Sequence, residues 1–124
     1  MKLNCVRVFV DDPEVARRFY RDVLGFTIKW DRGSAMGFDV GIDLIIESVD
    51  ADAPADDRAL VGRFVGCSFD VDNIDASYES LSGKGVEFTG PPERQPWGGW
   101  LAHFEDGNGN ILTLVGKEAS TQTH

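Results

Sequence analysis

The stretch Val8 to Phe26, VFVDDPEVARRFYRDVLGF, recurs in degenerate form roughly sixty residues later as Phe69 to Val86, FDVDNIDASYESLSGKGV, and such a repeat limits the folds available. In the first copy an alternating apolar strand runs into Asp12, a good helix N-cap, and Pro13 occupies the first helical position, where a missing N–H costs nothing. Val15, Phe19 and Val23, joined by Ala16, Tyr20 and Leu24, then form one apolar stripe, with Arg17, Arg18 and Arg21 mostly off it and Gly25 as the left-handed stop. In the second copy Asp72 or Asn73 caps, Ile74, Tyr78 and Leu81 make the stripe, and Gly83 and Gly85 close the helix. Each helix has to lie on a sheet, so the chain is expected to contain two copies of one supersecondary unit.

Length decides how the copies are housed. At 124 residues the chain suits one domain with a real core and is too short for two independent ones. No apolar run approaches the roughly 20 residues of a membrane span, and MKLNCVRVFV begins as a strand where a secretory signal would be. Cys5 and Cys67 form no CxxC or Cys/His cluster, and a chain with its own core needs no staple; reduced cysteines in a cytoplasmic protein are expected. The net charge of −9, from 21 acidic against 12 basic residues, argues against nucleic acid as a partner, because phosphate binding needs a basic face. Carboxylates lining a cleft would instead attract a cationic ligand.

Alternation over residues 3 to 10 puts Val6, Val8 and Val10 on a helix-facing side and Cys5, Arg7 and Phe9 on the other. After the helix, Phe26 to Asp31, Ala35 to Val40 and Ile42 to Ser48 are predicted strands, with Asp43, Ile45 and Glu47 facing away from the helix. Residues 49–62, acidic and alanine-rich, suit a solvated linker with a short helix near Arg58 to Val61. The second unit begins at Arg63, with Cys67, Phe69 and Val71 toward the helix and Gly66, Ser68 and Asp70 opposite. Val86 to Thr89 is a short strand. Gly90 to Gly99 holds three of the five prolines and is expected to lack regular structure. Trp100 to Glu105 and Asn110 to Val115 close the unit around the turn at 106–109, and residues 117–124 form a polar tail expected to be disordered. The predicted fold class is α+β: two tandem βαβββ units, 1–48 and 63–116, whose mixed sheets curve around a shared cleft with helices outside.

This order, with DDPEVARRFYRDVLGF and FEDGNGNILTL, resembles the vicinal oxygen chelate superfamily of glyoxalases, extradiol dioxygenases and bleomycin resistance proteins over roughly Leu3 to Val115. The family turn is usually written with proline where this chain has Gly107. Metal-dependent members place four ligands, His, Glu or Gln, on the first and fourth strands of each half. The resemblance puts those positions at Cys5, Asp43, Gly66 and Thr113. Glycine offers no side chain, threonine is a weak neutral ligand, and a thiolate with one carboxylate matches no usual divalent site, so a native divalent metal is not expected.

Charges on the sheet face opposite the helices imply that it is wet or filled by ligand. Arg7, Phe9, Asp43, Glu47, Asp70 and Thr113 are therefore candidate ligand-binding residues, although Arg7 could equally be a structural ion pair with Asp70 or Asp43. Trp97 and Trp100 flank two glycines and could wall a flat ligand, or serve as a loop cover or dimer contact. His103 is the only histidine outside the tail; with Glu47 it is a candidate for proton transfer, against the blander reading of a satisfied structural histidine. Two functions follow. One is a bleomycin-resistance-like binder of a planar ligand, cationic to suit the acidic cleft, without a complete metal site. The other is a metal-dependent glyoxalase-like lyase or dioxygenase. The resemblance also implies a homodimer.

Overall fold

The computed structural model describes residues 1–117, so most of the expected tail lies outside the described residues. The order is β1 (Cys5–Val10), α1 (Pro13–Arg17), a π-helical continuation (Arg18–Val23), β2 (Thr27–Asp31), β3 (Ala35–Asp39), β4 (Asp43–Ser48), α2 (Ala55–Arg58), β5 (Phe64–Val71), α3 (Ile74–Gly83), β6 (Glu87–Phe88), β7 (Glu93–Arg94), β8 (Trp100–Glu105) and β9 (Ile111–Gly116). These make an α+β fold with two mixed sheets, ordered β1-β4-β3-β2 and β5-β9-β8-β6, with β7 also paired to β8. Two compact units result. The first comprises Met1–Arg63 with Gly107–Asn110, and the second comprises Phe64–Asp106 with the described residues from Ile111.

In the first unit β1 pairs in parallel with β4, and β3 runs antiparallel to both β4 and β2. Asp12 caps α1 by accepting from the Glu14 and Val15 amides, as its position before Pro13 predicts. The helix differs from its sequence pattern. After Arg17 it widens into a π-helix, and the buried set is Ala16, Phe19 and Tyr20 while Val15 and Val23 stay half-exposed. Tyr20 sits 5.9 Å from Phe38 and 6.3 Å from Phe26, ring to ring, over a core of Val8, Val10, Met36, Leu44 and Ile46.

Residues 107–110 belong to this unit by their hydrogen bonds as well as their position. The Asn108 Oδ1 accepts from the Asp11 and Asp12 amides (3.2 and 2.8 Å). The Asn110 Oδ1 accepts from the Gly62 and Arg63 amides, and its Nδ2 donates to the Phe9 carbonyl at 2.8 Å. Both side chains are buried and supply hydrogen-bond partners to backbone groups of this unit. Val61 bridges in parallel to Phe9, so residues 49–62 return to the sheet edge, with their helix three residues earlier than expected.

In the second unit β5 pairs in parallel with β9, which runs antiparallel to β8. Asn73 is the cap of α3, accepting from the Ala76 amide at 3.0 Å. Ile74, Val86, Ala102, Phe104, Leu112 and Leu114 are buried, and Phe88 bridges Tyr78 and Phe104 at 4.7 and 5.7 Å between centroids. The proline-rich loop corrects the expectation of no regular structure. Glu93 and Arg94, lying between Pro92 and Pro96, retain free amides and pair with Leu101 and Trp100. Among the described residues no helix is long and apolar enough to cross a membrane.

Candidate functional site

Side-chain alternation puts Cys5, Arg7 and Phe9 of β1 on one face with Asp43, Ile45 and Glu47 of β4, each directly opposite its partner across the parallel pair. Facing positions in adjacent strands lie close enough for their side chains to meet. Arg7 grips Glu47 through two hydrogen bonds: Nε donates to Oε2, and Nη2 donates to Oε1 at 3.0 Å. This corrects the expected pairing of Arg7 with Asp70 or Asp43. Glu47 stands two positions along the neighbouring strand from Ile45, within reach of a long arginine, and its carboxylate holds the Arg7 guanidinium above the usual arginine range. The same guanidinium lies over the Phe9 ring, 5.2 Å from its centroid.

Arg7, Phe9 and Glu47 line an open pocket of about 420 Å3 together with Asp50, Asp57 and Leu60. The last three come from the 49–62 segment, which was expected to be only a solvated linker. Their signal in the sequence was the acidic run VDADAPADD, beside an expectation that carboxylates somewhere line a cleft. Arg7 and Glu47 neutralise each other. Neither Asp50 nor Asp57 has an ion-pair partner among the described residues, so the pocket carries a negative excess.

The family metal positions divide differently. Cys5 and Asp43 are cross-strand neighbours, but the Asp43 carboxylate accepts from Lys29 Nζ at 2.8 Å. In the second unit Thr113 lies opposite Ser68, and the register shifts between Phe64 and Ser68, at Gly66, whose φ of +80° an L side chain rarely adopts. Thr113 is buried, and its Oγ1 is 2.8 Å from the Nδ1 of His103, its partner on β8. The His103 ring meets Phe64 edge to face at 5.8 Å. These residues do not fit a divalent ion: one position has no side chain, one carboxylate is bound to an ammonium, and one hydroxyl is committed to a histidine. Among the described residues no group of three or more His, Cys, Asp or Glu is placed to hold a metal ion.

Asp70 is exposed on β5, opposite Val115. Trp97 is 64% exposed and folds its ring over Gly99. Trp100 corrects the idea of two indoles on one wall. It shares parity with buried Ala102 and Phe104, on the side opposite His103, and its Nε1 is buried without a hydrogen-bond partner among the described residues. Burial pushes the Cys67 thiol up, which makes it a poor nucleophile.

The sequence model of the Glyoxalase/Bleomycin resistance protein/Dioxygenase superfamily matches residues 2–114. The chain belongs to that superfamily. The uncharacterized protein YraH of Bacillus subtilis (strain 168) is 30% identical to it over 125 residues, which cover 92% of this chain and 97% of that protein. A superfamily member from Sphaerobacter thermophilus DSM 20745 superposes with a TM-score of 0.77 at 29% identity, covering 94% of this chain and 98% of that one. A lactoylglutathione lyase from Agrobacterium tumefaciens shares the fold at a TM-score of 0.75 and 21% identity, covering 94% of each chain. The glyoxalase-type pattern of strand, helix and three strands is thus present twice, with a two-residue strand added in the second copy.

Proposed function

We propose that this superfamily member is a small-molecule binder that takes a planar, cationic ligand in the acidic pocket of its first unit, without a metal ion at the family positions. The observation that carries this reading is the donor set: Cys5, Gly66, an Asp43 paired to Lys29 and a Thr113 paired to His103 supply too few free ligands. The pocket supports the ligand class. Phe9 and Leu60 offer apolar surface, and Asp50 and Asp57 add unneutralised negative charge beside it. Glu47, bound to Arg7, is poorly placed to act as a free base.

Two measurements test this. Titration with flat aromatic cations, followed by tryptophan fluorescence and calorimetry, is expected to give saturable binding that persists in a chelator. Elemental analysis of protein purified without chelators is expected to find no stoichiometric transition metal. A bound metal whose removal abolishes ligand binding or a lyase or dioxygenase activity would overturn the reading. A cytoplasmic homodimer belongs to the same proposal, and sedimentation at micromolar concentration checks the dimer.

A further inference from the structure

The pocket of the first unit already holds a planar cation, and it is the protein's own. The Arg7 guanidinium carbon stands over Phe9, 5.2 Å from the ring centroid, and the group presents two N–H donors side by side to the two oxygens of Glu47. That is the fork-to-fork geometry in which a carboxylate recognises a guanidinium or an amidinium and no other common cation. An ammonium is a point donor and could not reproduce it.

The internal occupant is weakly held. The Arg7 side chain is 57% exposed and that of Glu47 27%. Solvent competes for an ion pair so exposed, and holding a long arginine in one rotamer has an entropic cost, so such pairs contribute little to stability. A ligand carrying its fork on a rigid aromatic ring loses less freedom on binding. An arginine that let go of Glu47 would keep its charge in water, in a pocket where Asp50 and Asp57 have no ion-pair partner among the described residues.

We infer that Glu47 and Phe9 form a subsite for the amidinium or guanidinium group of an aryl ligand, occupied in the free protein by Arg7, which the ligand displaces. This rests on the binding function proposed above and specifies the charged group that the pocket selects. Arg7 is then a competitor that sets affinity, and Glu47 is the residue that sets specificity.

Benzamidine is the probe, and benzamide, of nearly the same shape but without charge, is the control. Calorimetry compares the full chain with Arg7→Met, Glu47→Gln and the double variant, with circular dichroism and melting curves to verify that each is folded. Arg7→Met removes the competitor while retaining an apolar stem, and is expected to tighten benzamidine by roughly two- to fivefold, the equivalent of one exposed ion pair. Glu47→Gln in the Arg7→Met background is expected to weaken benzamidine by at least about tenfold, the loss of a charge-assisted bidentate contact. Benzamide affinity should be nearly the same in Arg7→Met and in the double variant, which differ only in the charge at residue 47.

Several outcomes overturn the inference. If flat aromatic cations bind but Arg7→Met leaves benzamidine unchanged or weaker, or Glu47→Gln affects benzamide equally, the exchange subsite is wrong and the binding function stands. If no flat cation binds any of the four folded proteins, the inference and the binding function fall together.

Discussion

The two units have the same strand order and similar cores, yet the faces turned away from their helices carry different chemistry. In the first unit the face is charged and registered, with Cys5 opposite Asp43 and paired ions at Arg7–Glu47 and Lys29–Asp43. In the second the corresponding strand bulges at Gly66, so Thr113 meets Ser68, and the polar pair there is His103 with Thr113. A shared backbone plan therefore fixes the helix-facing side far more tightly than the opposite one. Core positions must fill space, whereas the open faces are free to diverge with their ligands.

The largest expected effects test the common half of that comparison. Phe38→Ala and Phe104→Ala each empty a fully buried aromatic site, and each should cost about 3–5 kcal/mol in denaturant unfolding. A much smaller loss in either unit would mean that the cores are not equivalent. Next comes Gly66→His, which restores a family donor type. At φ +80° it should cost roughly 1–2 kcal/mol and leave divalent-ion affinity unchanged by calorimetry; a new tight metal site would show that the bulge is not what separates the faces.

Thr113→Val keeps the volume but removes the hydroxyl beside His103. It should destabilise the chain by about 1 kcal/mol, and the NMR chemical shifts of the His103 ring should change with the lost partner. A smaller, pH-dependent effect belongs to the first unit. Arg17, above all, and then the Gly33 amide hold the Asp31 carboxyl down to about 2, below its ordinary 3.8. Because the folded value is the lower one, this pair stabilises above pH 3.8 and its contribution is lost as pH falls toward 2. Melting curves of Asp31→Asn should lack that part of the acid-side slope. The smallest effect is Lys29→Met: the pair with Asp43 is substantially exposed on both sides, so stability should hardly change. A large loss there would mean that the charged face is structural.

Much of this was legible in the sequence. Asp12, Pro13 and Gly25 bracket the first helix, and two-residue alternation assigns Val8 and Val10 to the core and Cys5 and Asp43 to one face, because those signals are local or strictly periodic. Other features depend on what lies beside a residue. The π-helical turn breaks no sequence rule, since the Tyr20 ring meets Phe26 and Phe38, which come beside it only in the fold. Gly66 suits a plain strand as well as a bulge. Arg7 was expected to pair with Asp70 or Asp43, and alternation alone carries no distance with which to choose Glu47. Asp50, Asp57 and Leu60 became pocket residues only because the 49–62 segment turns back to β1. Trp100 shares parity with Ala102 and Phe104, a relation that strand alternation carries and its flanking glycines do not.

The Asn110 side chain that joins Phe9, Gly62 and Arg63 also orders events during synthesis. A nascent chain that has just emerged through residue 63 holds every strand of its first sheet, yet the amides of Gly62 and Arg63 still lack the acceptor that comes with residue 110. The N-terminal half therefore reaches its final state only once residue 110 is available to it. A gene cut at the midpoint of the repeat would encode an early half that carries an unfilled requirement for part of the late one.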